Sequence, residues 1–446
     1  MSYTLSAFAF LLSVAAFGQT LSGTLSLHTH QELSLTTFNA YDAVERTTTT
    51  VDSLGNFTLA FDTNYTGIAL LQTQDQSTLP LLLTPTDIQL KGSHLKARSA
   101  LTITPALNNQ FLHYEEEATL RKRTLSAWDY LLESYQNVPL LSSQSHIQET
   151  IIKEQNRIAQ EEKLFIESLD PNSYLHWFIG IRQFFYAMVN AAKTPEKHPE
   201  LIEKFRTTDF TNPNFTSSSL FKKIVELHFQ ILRSSGKSND QINAELNIST
   251  QYLIDNLEST PALLNAVATG LFDYFEQQSL FEASAYLSMG LLEDNQCDLN
   301  DDLVSKLETY RTLKIGNTAP EIVLDHSKKL SDLKTHKLVV FGASWCPHCT
   351  EELPKLENYA NTWKANTIEL IYMSLDTSKK DFEKTYLDKP WQSYCDFKGW
   401  DSQAALDYFV AATPTYFLLD ATNKILLRPK SVEHANAWMK SKGLVK

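Results

Sequence analysis

The chain has 446 residues, of which 43% are hydrophobic and 11% aromatic, and this composition excludes a globally disordered protein. With 39 Lys and Arg against 52 Asp and Glu, its net charge of −13 argues against a nucleic-acid partner, because phosphate binding requires basic clusters. Four cysteines are too few for a disulfide-stabilised scaffold, and the length predicts two or three domains.

The N-terminus is typical of an export signal. Leu5–Phe17 form an uncharged apolar run, and Ala16 and Gly18 place small residues just before Gln19. As a helix this run would extend about 20 Å, which is too short for a hydrocarbon core of about 30 Å. We therefore predict a signal peptide over 1–18 and a protein of the periplasm or cell envelope, soluble after cleavage and without membrane insertion. No Lys or Arg precedes the run, so a buried N-terminal helix is the alternative.

The hydrophobic pattern changes near residue 98. Apolar and polar residues alternate over Asn56–Phe61 after a turn signal, and this period of two predicts a strand. We predict a small antiparallel β-sandwich over 19–97. Over 98–314 the apolar residues recur at helical spacing, as in Leu263–Phe275, which predicts an all-helical middle segment.

Residues 315–446 return to short apolar runs separated by helical patterns. The strand-like runs are Leu338–Phe341, Ile368–Tyr372 and Thr415–Leu419. Alternation of strands and helices indicates an α/β sheet with helices on both faces. The chain is thus predicted to be multidomain, with a β-sandwich, a helical middle segment and a C-terminal α/β domain.

A reactive cysteine pair follows the first of these runs. Cys346 and Cys349 form a Cys-x-x-Cys motif at a predicted strand-to-helix junction. Free backbone N–H groups and the positive end of the helix dipole stabilise a thiolate at such a position. We predict that Cys346 is an exposed nucleophile, that His348 assists it by charge or by a hydrogen bond, and that Cys349 resolves the mixed disulfide.

Two other uses of the pair are weaker. A zinc site needs four ligands, and the remaining cysteines, Cys297 and Cys395, are single and distant in sequence. An inert structural disulfide is the other alternative. We predict no metal and no dissociable cofactor, only a redox-active Cys346–Cys349 disulfide. Cys395 is either a buried free thiol or a third redox partner.

Pro414 stands just before the last predicted strand. If its peptide bond is cis, the Thr413 backbone is left free to pair with an extended peptide, as in β-strand addition. Together with Trp345, Pro347 and His348 of the motif, Thr413 and Pro414 are the predicted substrate-contacting residues.

Four segments together resemble the thioredoxin superfamily and, within it, the TlpA/ResA type of exported thiol-disulfide oxidoreductase. They are Ile315–Ile322, Trp345–Cys349, Glu352–Pro354 and Thr413–Asp420. The resemblance implies a thioredoxin-like domain over 315–446, with a helix kinked at Pro354, Pro414 in cis and an extra segment near 376–409. It also implies that 19–97 is the small β domain that often precedes such domains in envelope proteins.

The sequence departs from many cytosolic thioredoxins at Val340, where they bury an Asp that accepts the proton of the resolving thiol. The TlpA/ResA type implies a Glu three residues after the second cysteine for this role, and Glu352 matches it. The i, i+3 spacing places Glu352 on the helical face of Cys349, although an ordinary solvated acid is the alternative. The Pro-His dipeptide resembles oxidising members, whereas the surrounding domain resembles reductases, so the direction stays open.

The predicted function is therefore an exported thiol-disulfide oxidoreductase that acts on protein disulfides or dithiols, with a membrane redox protein as its electron partner. Two alternatives stay open. In the first, the N-terminal regions form an interaction or homodimerisation arm and the thioredoxin-like head is auxiliary. The second is a peroxidase, because the Gly316–Pro320 entry also occurs in peroxiredoxins. Ala343–Trp345, however, lacks the Pro and the Thr or Ser that those enzymes place before their cysteine.

Overall fold

The computed structural model describes residues 18–445, with gaps at 40, 42, 192–193, 294–297 and 326–327. The predicted signal run and Cys297 lie outside the described residues. None of the described helices has the length and hydrophobicity needed to cross a bilayer. The chain divides into two compact units, one with residues up to 193 and Asn212–Ile224, the other with Thr194–Thr211 and residues from 225 onward. The domain boundaries predicted after 97 and 314 stay predictions.

The first unit begins with β structure, as predicted. Its strands are β1 (Gln19–Leu25), β2 (Glu32–Asn39), β3 (Ala43–Thr50), β4 (Asn56–Phe61), β5 (Gly67–Thr73), β6 (Thr78–Leu83), β7 (Ile88–Gly92) and β8 (Thr102–Thr104). They form two four-stranded sheets with the orders β4-β1-β7-β8 and β3-β2-β5-β6. In β4 the buried residues Phe57, Leu59 and Phe61 alternate with exposed ones, the pattern of a strand with one solvated face.

One strand pairing differs from the expected antiparallel arrangement. β1 pairs with β4 antiparallel but with β7 in parallel. Gly23 permits the close approach of β7, because a Cβ at this position would lie 1.7 Å from the Leu90 carbonyl oxygen. Alternation within a strand does not reveal its partner, so the sequence predicts these strands without predicting the parallel pairing.

The middle of the chain is helical, as predicted. Its helices are α1 (Leu107–Asn137), α2 (Ser145–Glu167), α3 (Tyr174–Val189), α4 (His198–Arg206), α5 (Phe221–Arg233), α6 (Asn239–Leu257), α7 (Pro261–Gln277), α8 (Phe281–Glu293) and α9 (Asp301–Arg311). Local signals account for several boundaries. α6 starts with a capping box formed by Ser238 and Gln241, and α7 starts at Pro261, whose missing N–H costs nothing in the first turn.

The C-terminal residues form a five-stranded mixed sheet, which confirms the predicted thioredoxin-like α/β domain. Its strands are β9 (His336–Gly342), β10 (Ile368–Ser374), β11 (Gln392–Tyr394), β12 (Thr415–Leu419) and β13 (Ile425–Leu427), in the order β11-β10-β9-β12-β13. β9, β10 and β11 are parallel, whereas β12 runs antiparallel to both β9 and β13. The central strand β9 is buried along nearly its whole length, as expected of a sheet covered on both faces.

Four helices accompany this sheet and position the cysteine motif. They are α10 (Pro347–Ala365), α11 (Lys379–Tyr386), α12 (Gln403–Asp407) and α13 (Val432–Ser441). α10 follows β9 after a four-residue connection and contains Pro354 in its interior. Leu353 and Leu356 of α10 share a buried cluster with Val340 of β9, so the motif helix packs on the face to which Val340 points.

Candidate active site

Cys346 is the N-cap residue of α10. Its Sγ accepts a hydrogen bond from the Cys349 backbone N–H at 3.2 Å, and Pro347 occupies the first helical position. A sulfur at this place faces the unpaired N–H groups and the positive end of the helix dipole. The structure therefore brings the two cysteines together in the geometry that the motif predicts.

The Thr413–Pro414 peptide bond is cis, as the resemblance implied. The carbonyl oxygen of Thr413 accepts a hydrogen bond from the Cys346 thiol at 3.3 Å. The loop that precedes β12 therefore lies against the first cysteine of the motif.

The exposure expected for Cys346 is wrong. The residue is only 5% exposed, and Cys349 is 1% exposed. The Thr413 carbonyl group lies against the Cys346 sulfur and helps to cover it. The neighbouring Trp345, by contrast, is 52% exposed, and its ring lies 6.0 Å from that of Trp400, which is 44% exposed.

Within the described residues His348 forms no hydrogen bond with Cys346, and assistance by its charge stays a prediction. Its side chain is 81% exposed, and Nδ1 lies 3.7 Å from the Glu351 carboxylate on the next turn. The hydrogen bonds found for the Cys346 sulfur, within the part of the chain that the structure describes, go to Cys349 and Thr413. His348 therefore stands at the surface beside the motif, where it could contact a bound protein.

Glu352 is not an ordinary solvated acid, because its side chain is only 14% exposed. Its carboxylate accepts hydrogen bonds from the Tyr416 hydroxyl at 3.1 Å, the Val432 backbone N–H at 3.2 Å and the Lys355 ammonium at 2.6 Å. These contacts connect the motif helix α10 to β12 and to the first turn of α13. Glu352 lies one turn after Cys349 on the same helix, so these contacts hold its carboxylate on the motif side of the domain.

Asp376 is a site residue that the sequence analysis missed. It is 1% exposed and accepts hydrogen bonds from the Ser344 hydroxyl at 2.6 Å and the Ser374 hydroxyl at 2.7 Å. The Ser344 backbone N–H also points at this carboxylate, at 3.2 Å. Asp376 thus fixes the connection that carries Trp345 and Cys346. Its one local signal is an acid two residues after the end of the buried strand β10.

Cys395 lies near the same loop and is half-buried. Its thiol donates a hydrogen bond to the Asp376 carbonyl oxygen at 3.2 Å, and burial raises its pKa. Both features favour a neutral thiol.

A histidine–aspartate group in the first unit resembles a metal site. Ligand atoms of His28, Asp75 and His94 lie within 4.8 Å of one another. However, His94 Nδ1 accepts the Lys96 backbone N–H at 2.9 Å, so a neutral ring carries its proton on Nε2, which faces Asp75 at 3.4 Å. A protonated nitrogen offers no lone pair to a metal, so His94 lies beside the Asp75 carboxylate without fitting the role of a ligand.

Burial and, second to it, the hydrogen bond with Cys346 raise the pKa of the Cys349 thiol from an ordinary value of 9.0 to about 12. The folded protein therefore gains stability from the neutral thiol below about pH 9 and loses that stability as the pH rises towards about 12. We expect the free energy of unfolding of the reduced protein to fall by about 1 kcal/mol between about pH 8 and 10 from this group alone. Urea titrations of the reduced protein and of a Cys349→Ser variant test this, because the variant must show a smaller decline. Equal declines in both proteins would contradict the assignment.

Comparisons with known proteins match the C-terminal part of the chain. A family model described as thioredoxin-like matches residues 335–425. The thiol-disulfide oxidoreductase ResA of Bacillus subtilis (strain 168) is 28% identical over 119 residues, which cover 25% of this chain and 64% of that protein. ResA of Bacillus cereus (strain ZK / E33L) is 30% identical over 122 residues, which cover 26% of this chain and 68% of that protein.

Among solved structures, a thiol-disulfide oxidoreductase from Bacteroides fragilis NCTC 9343 is 28% identical and has a TM-score of 0.26. The match covers 28% of this chain and 99% of that one. The chain spans slightly less than two thirds of the Bacillus subtilis ResA and slightly more than two thirds of the Bacillus cereus one. Through its C-terminal domain, the chain belongs to the thioredoxin-like thiol-disulfide oxidoreductases of the ResA type.

Proposed function

We propose that this protein is an exported thiol-disulfide oxidoreductase that exchanges disulfides with protein substrates through Cys346 and Cys349. The observation that carries the proposal is the placement of Cys346 at the N-terminus of α10, with Cys349 one turn on and the cis Thr413–Pro414 loop against its sulfur. The peroxidase alternative has less support, because the motif lacks the residues that peroxide reduction requires.

The first step is attack by the Cys346 thiolate on a substrate disulfide. A bond forms between Cys346 Sγ and one substrate sulfur, the substrate S–S bond breaks, and the other substrate sulfur leaves as a thiolate that takes a proton from water. The unpaired N–H groups at the start of α10 stabilise the attacking thiolate.

The second step is resolution by Cys349. Its thiol transfers its proton to the Glu352 carboxylate, and the resulting thiolate attacks Cys346 Sγ. The Cys346–Cys349 disulfide forms as the bond between Cys346 and the substrate breaks, and the substrate sulfur leaves as a thiolate that takes a proton from water. The raised pKa of Cys349 makes a proton acceptor necessary near neutral pH, and we assign this role to Glu352 because it lies one turn after Cys349 on α10 and has low exposure. The same steps run in reverse when the protein oxidises a dithiol.

Substrate contacts are assigned to the exposed face around Cys346. Trp345, Pro347, His348, Thr413 and Pro414 border the cysteine. The exposed Trp345–Trp400 ring pair offers apolar surface to a partly unfolded polypeptide. The backbone on either side of the cis peptide bond offers hydrogen bonds to an extended segment.

Protein partners and location are part of the proposal. A membrane redox protein would return the Cys346–Cys349 pair to its starting state, and a homodimer through the N-terminal β and helical regions stays open. The apolar run Leu5–Phe17 supports export. Recovery of the protein from the envelope fraction, with Gln19 as its first residue, is the expected outcome of fractionation and N-terminal sequencing.

The test of the function is capture of substrates by a Cys349→Ser variant. Without the resolving thiol, the mixed disulfide on Cys346 persists, so we expect reducible adducts with several envelope proteins. The matched control is Cys346→Ser, which must capture none, while Cys395→Ser must not alter the adducts. Absence of Cys346-linked adducts from cells that express the Cys349→Ser variant would contradict the proposal.

A further inference from the structure

Two tyrosines flank Val340, the position at which many cytosolic thioredoxins bury an Asp. Val340 pairs with Tyr372 of β10 on one side and with Tyr416 of β12 on the other. Directly paired residues of neighbouring strands point to the same face of a sheet. Both tyrosines therefore lie beneath the motif helix, and they are 1% and 2% exposed.

Gly342 leaves a space that the Tyr372 hydroxyl fills beside Cys349. A Cβ added at Gly342 would lie 2.1 Å from the Tyr372 hydroxyl oxygen and 3.2 Å from the Cys349 sulfur. The hydroxyl and the sulfur thus flank the same point at the end of β9. Any larger side chain at position 342 would displace the hydroxyl from the sulfur.

The Tyr372 proton is available to the sulfur. The Tyr386 hydroxyl donates to the Tyr372 oxygen at 3.3 Å, so the proton of Tyr372 itself is left for another acceptor. Burial raises the pKa of Tyr372 well above its usual value, and this keeps the group a donor at neutral pH. Among the described contacts, the Tyr372 hydroxyl and the neutral Cys349 thiol share no hydrogen bond. A thiolate on Cys349 would attract the hydroxyl.

The other titratable groups facing Cys349 do not offer an equivalent donor. Cys346 is the sulfur that Cys349 attacks, Tyr386 donates to Tyr372, and Tyr416 donates to Glu352. Beyond Glu352, the Lys355 ammonium is engaged by the Glu352 and Glu433 carboxylates. Tyr372 is therefore the donor best placed for a charge that develops on Cys349.

We propose that the Tyr372 hydroxyl donates a hydrogen bond to the Cys349 thiolate during resolution and is a catalytic residue of that step. The inference rests on the proposed function, in which Cys349 loses its proton to Glu352 before attacking Cys346. Tyr372 keeps its own proton throughout, so the bonds that form and break are those of the disulfide exchange alone. Its hydroxyl lowers the free energy of the attacking thiolate and of the transition state that follows.

The test separates the two chemical steps with dithiobis(nitrobenzoate), a chromogenic disulfide. In a Cys297→Ser, Cys395→Ser background, attack by Cys346 releases one coloured thionitrobenzoate, and resolution by Cys349 releases the second. We expect Tyr372→Phe to leave the first phase unchanged and to slow the second by roughly 10- to 100-fold, because a hydrogen bond to an ionised group is lost. The pH profile of the second phase should shift to higher pH.

Tyr408→Phe is the matched control. Tyr408 is also a buried tyrosine of this domain, but its hydroxyl donates to Pro320 at 2.7 Å and its ring packs on Phe341 and Phe417. It should leave both phases unchanged. Gly342→Ala keeps Tyr372 but displaces its hydroxyl, so it should slow the second phase as Tyr372→Phe does. It replaces Tyr372→Phe as the test variant if Tyr372→Phe misfolds.

The outcomes separate this inference from the proposed function. A second phase in Tyr372→Phe within about twofold of the parent, at an unchanged pH profile, would overturn the role of Tyr372. A parent protein that releases the first thionitrobenzoate but never the second would instead overturn resolution by Cys349 and with it the proposed function.

Discussion

Replacing Cys346 by Ser is expected to lower the rate of protein-disulfide exchange by roughly a thousandfold or more. A serine hydroxyl stays protonated at neutral pH and cannot form the mixed disulfide on which the mechanism depends. Serine is a good N-cap residue, so its Oγ can still accept the Cys349 N–H and the start of α10 should persist. Insulin reduction measures the loss.

The loss must be specific to the motif. The Cys395→Ser variant removes the half-buried thiol near Asp376 and should retain nearly full activity. Unfolding curves of the Cys346→Ser variant should match those of the reduced parent protein. If Cys346→Ser keeps substantial insulin reduction, or if Cys395→Ser loses it, Cys346 is not the nucleophile.

The largest effect on stability is expected at a buried ion pair in the second unit. Arg428 and Glu276, whose side chains are 4% and 2% exposed, lie 2.7 Å apart. Arg428 also donates to the Tyr310 hydroxyl at 2.7 Å, and its guanidinium lies 3.8 Å from the centre of the Phe281 ring. These contacts connect the end of β13 to helices α7, α8 and α9.

Arg428→Met should therefore destabilise the protein by about 3–5 kcal/mol, because it leaves the Glu276 carboxylate buried without its cation. Removing the second charge as well, in Arg428→Met with Glu276→Leu, should restore part of the loss. The matched control is Arg311→Met, which breaks an ion pair with Glu308 that is 55% and 42% exposed and should cost less than about 1 kcal/mol. Urea unfolding measures all three, and equal losses at Arg428 and Arg311 would contradict this account.

The sequence predicts those parts of the domain whose signals are local. The apolar runs before Cys346 and after Pro414 become β9 and β12, and the cysteine pair stands at the strand-to-helix junction. The identity of the motif thus follows from residues that lie close together in the chain.

The rest depends on contacts between distant residues, which leave no pattern along the chain. The Arg428–Glu276 pair joins positions 152 residues apart, and Val340 acquires its tyrosine neighbours only through the pairing of β9 with β10 and β12. The low exposure of Cys346 depends likewise on the Thr413 carbonyl from a remote loop. The burial of Cys346 and the neighbours of Val340 are therefore set by the folded domain and could not be predicted from local sequence patterns.

The most direct test of the central claim is the equilibrium of the reduced protein with glutathione redox buffers, read by intact mass and peptide mapping. We predict a reversible disulfide between Cys346 and Cys349, with a potential inside the range of about −270 to −120 mV spanned by related dithiols. A protein in which these two sulfurs remain unlinked across that range, or in which either one pairs with Cys297 or Cys395 instead, would contradict the account.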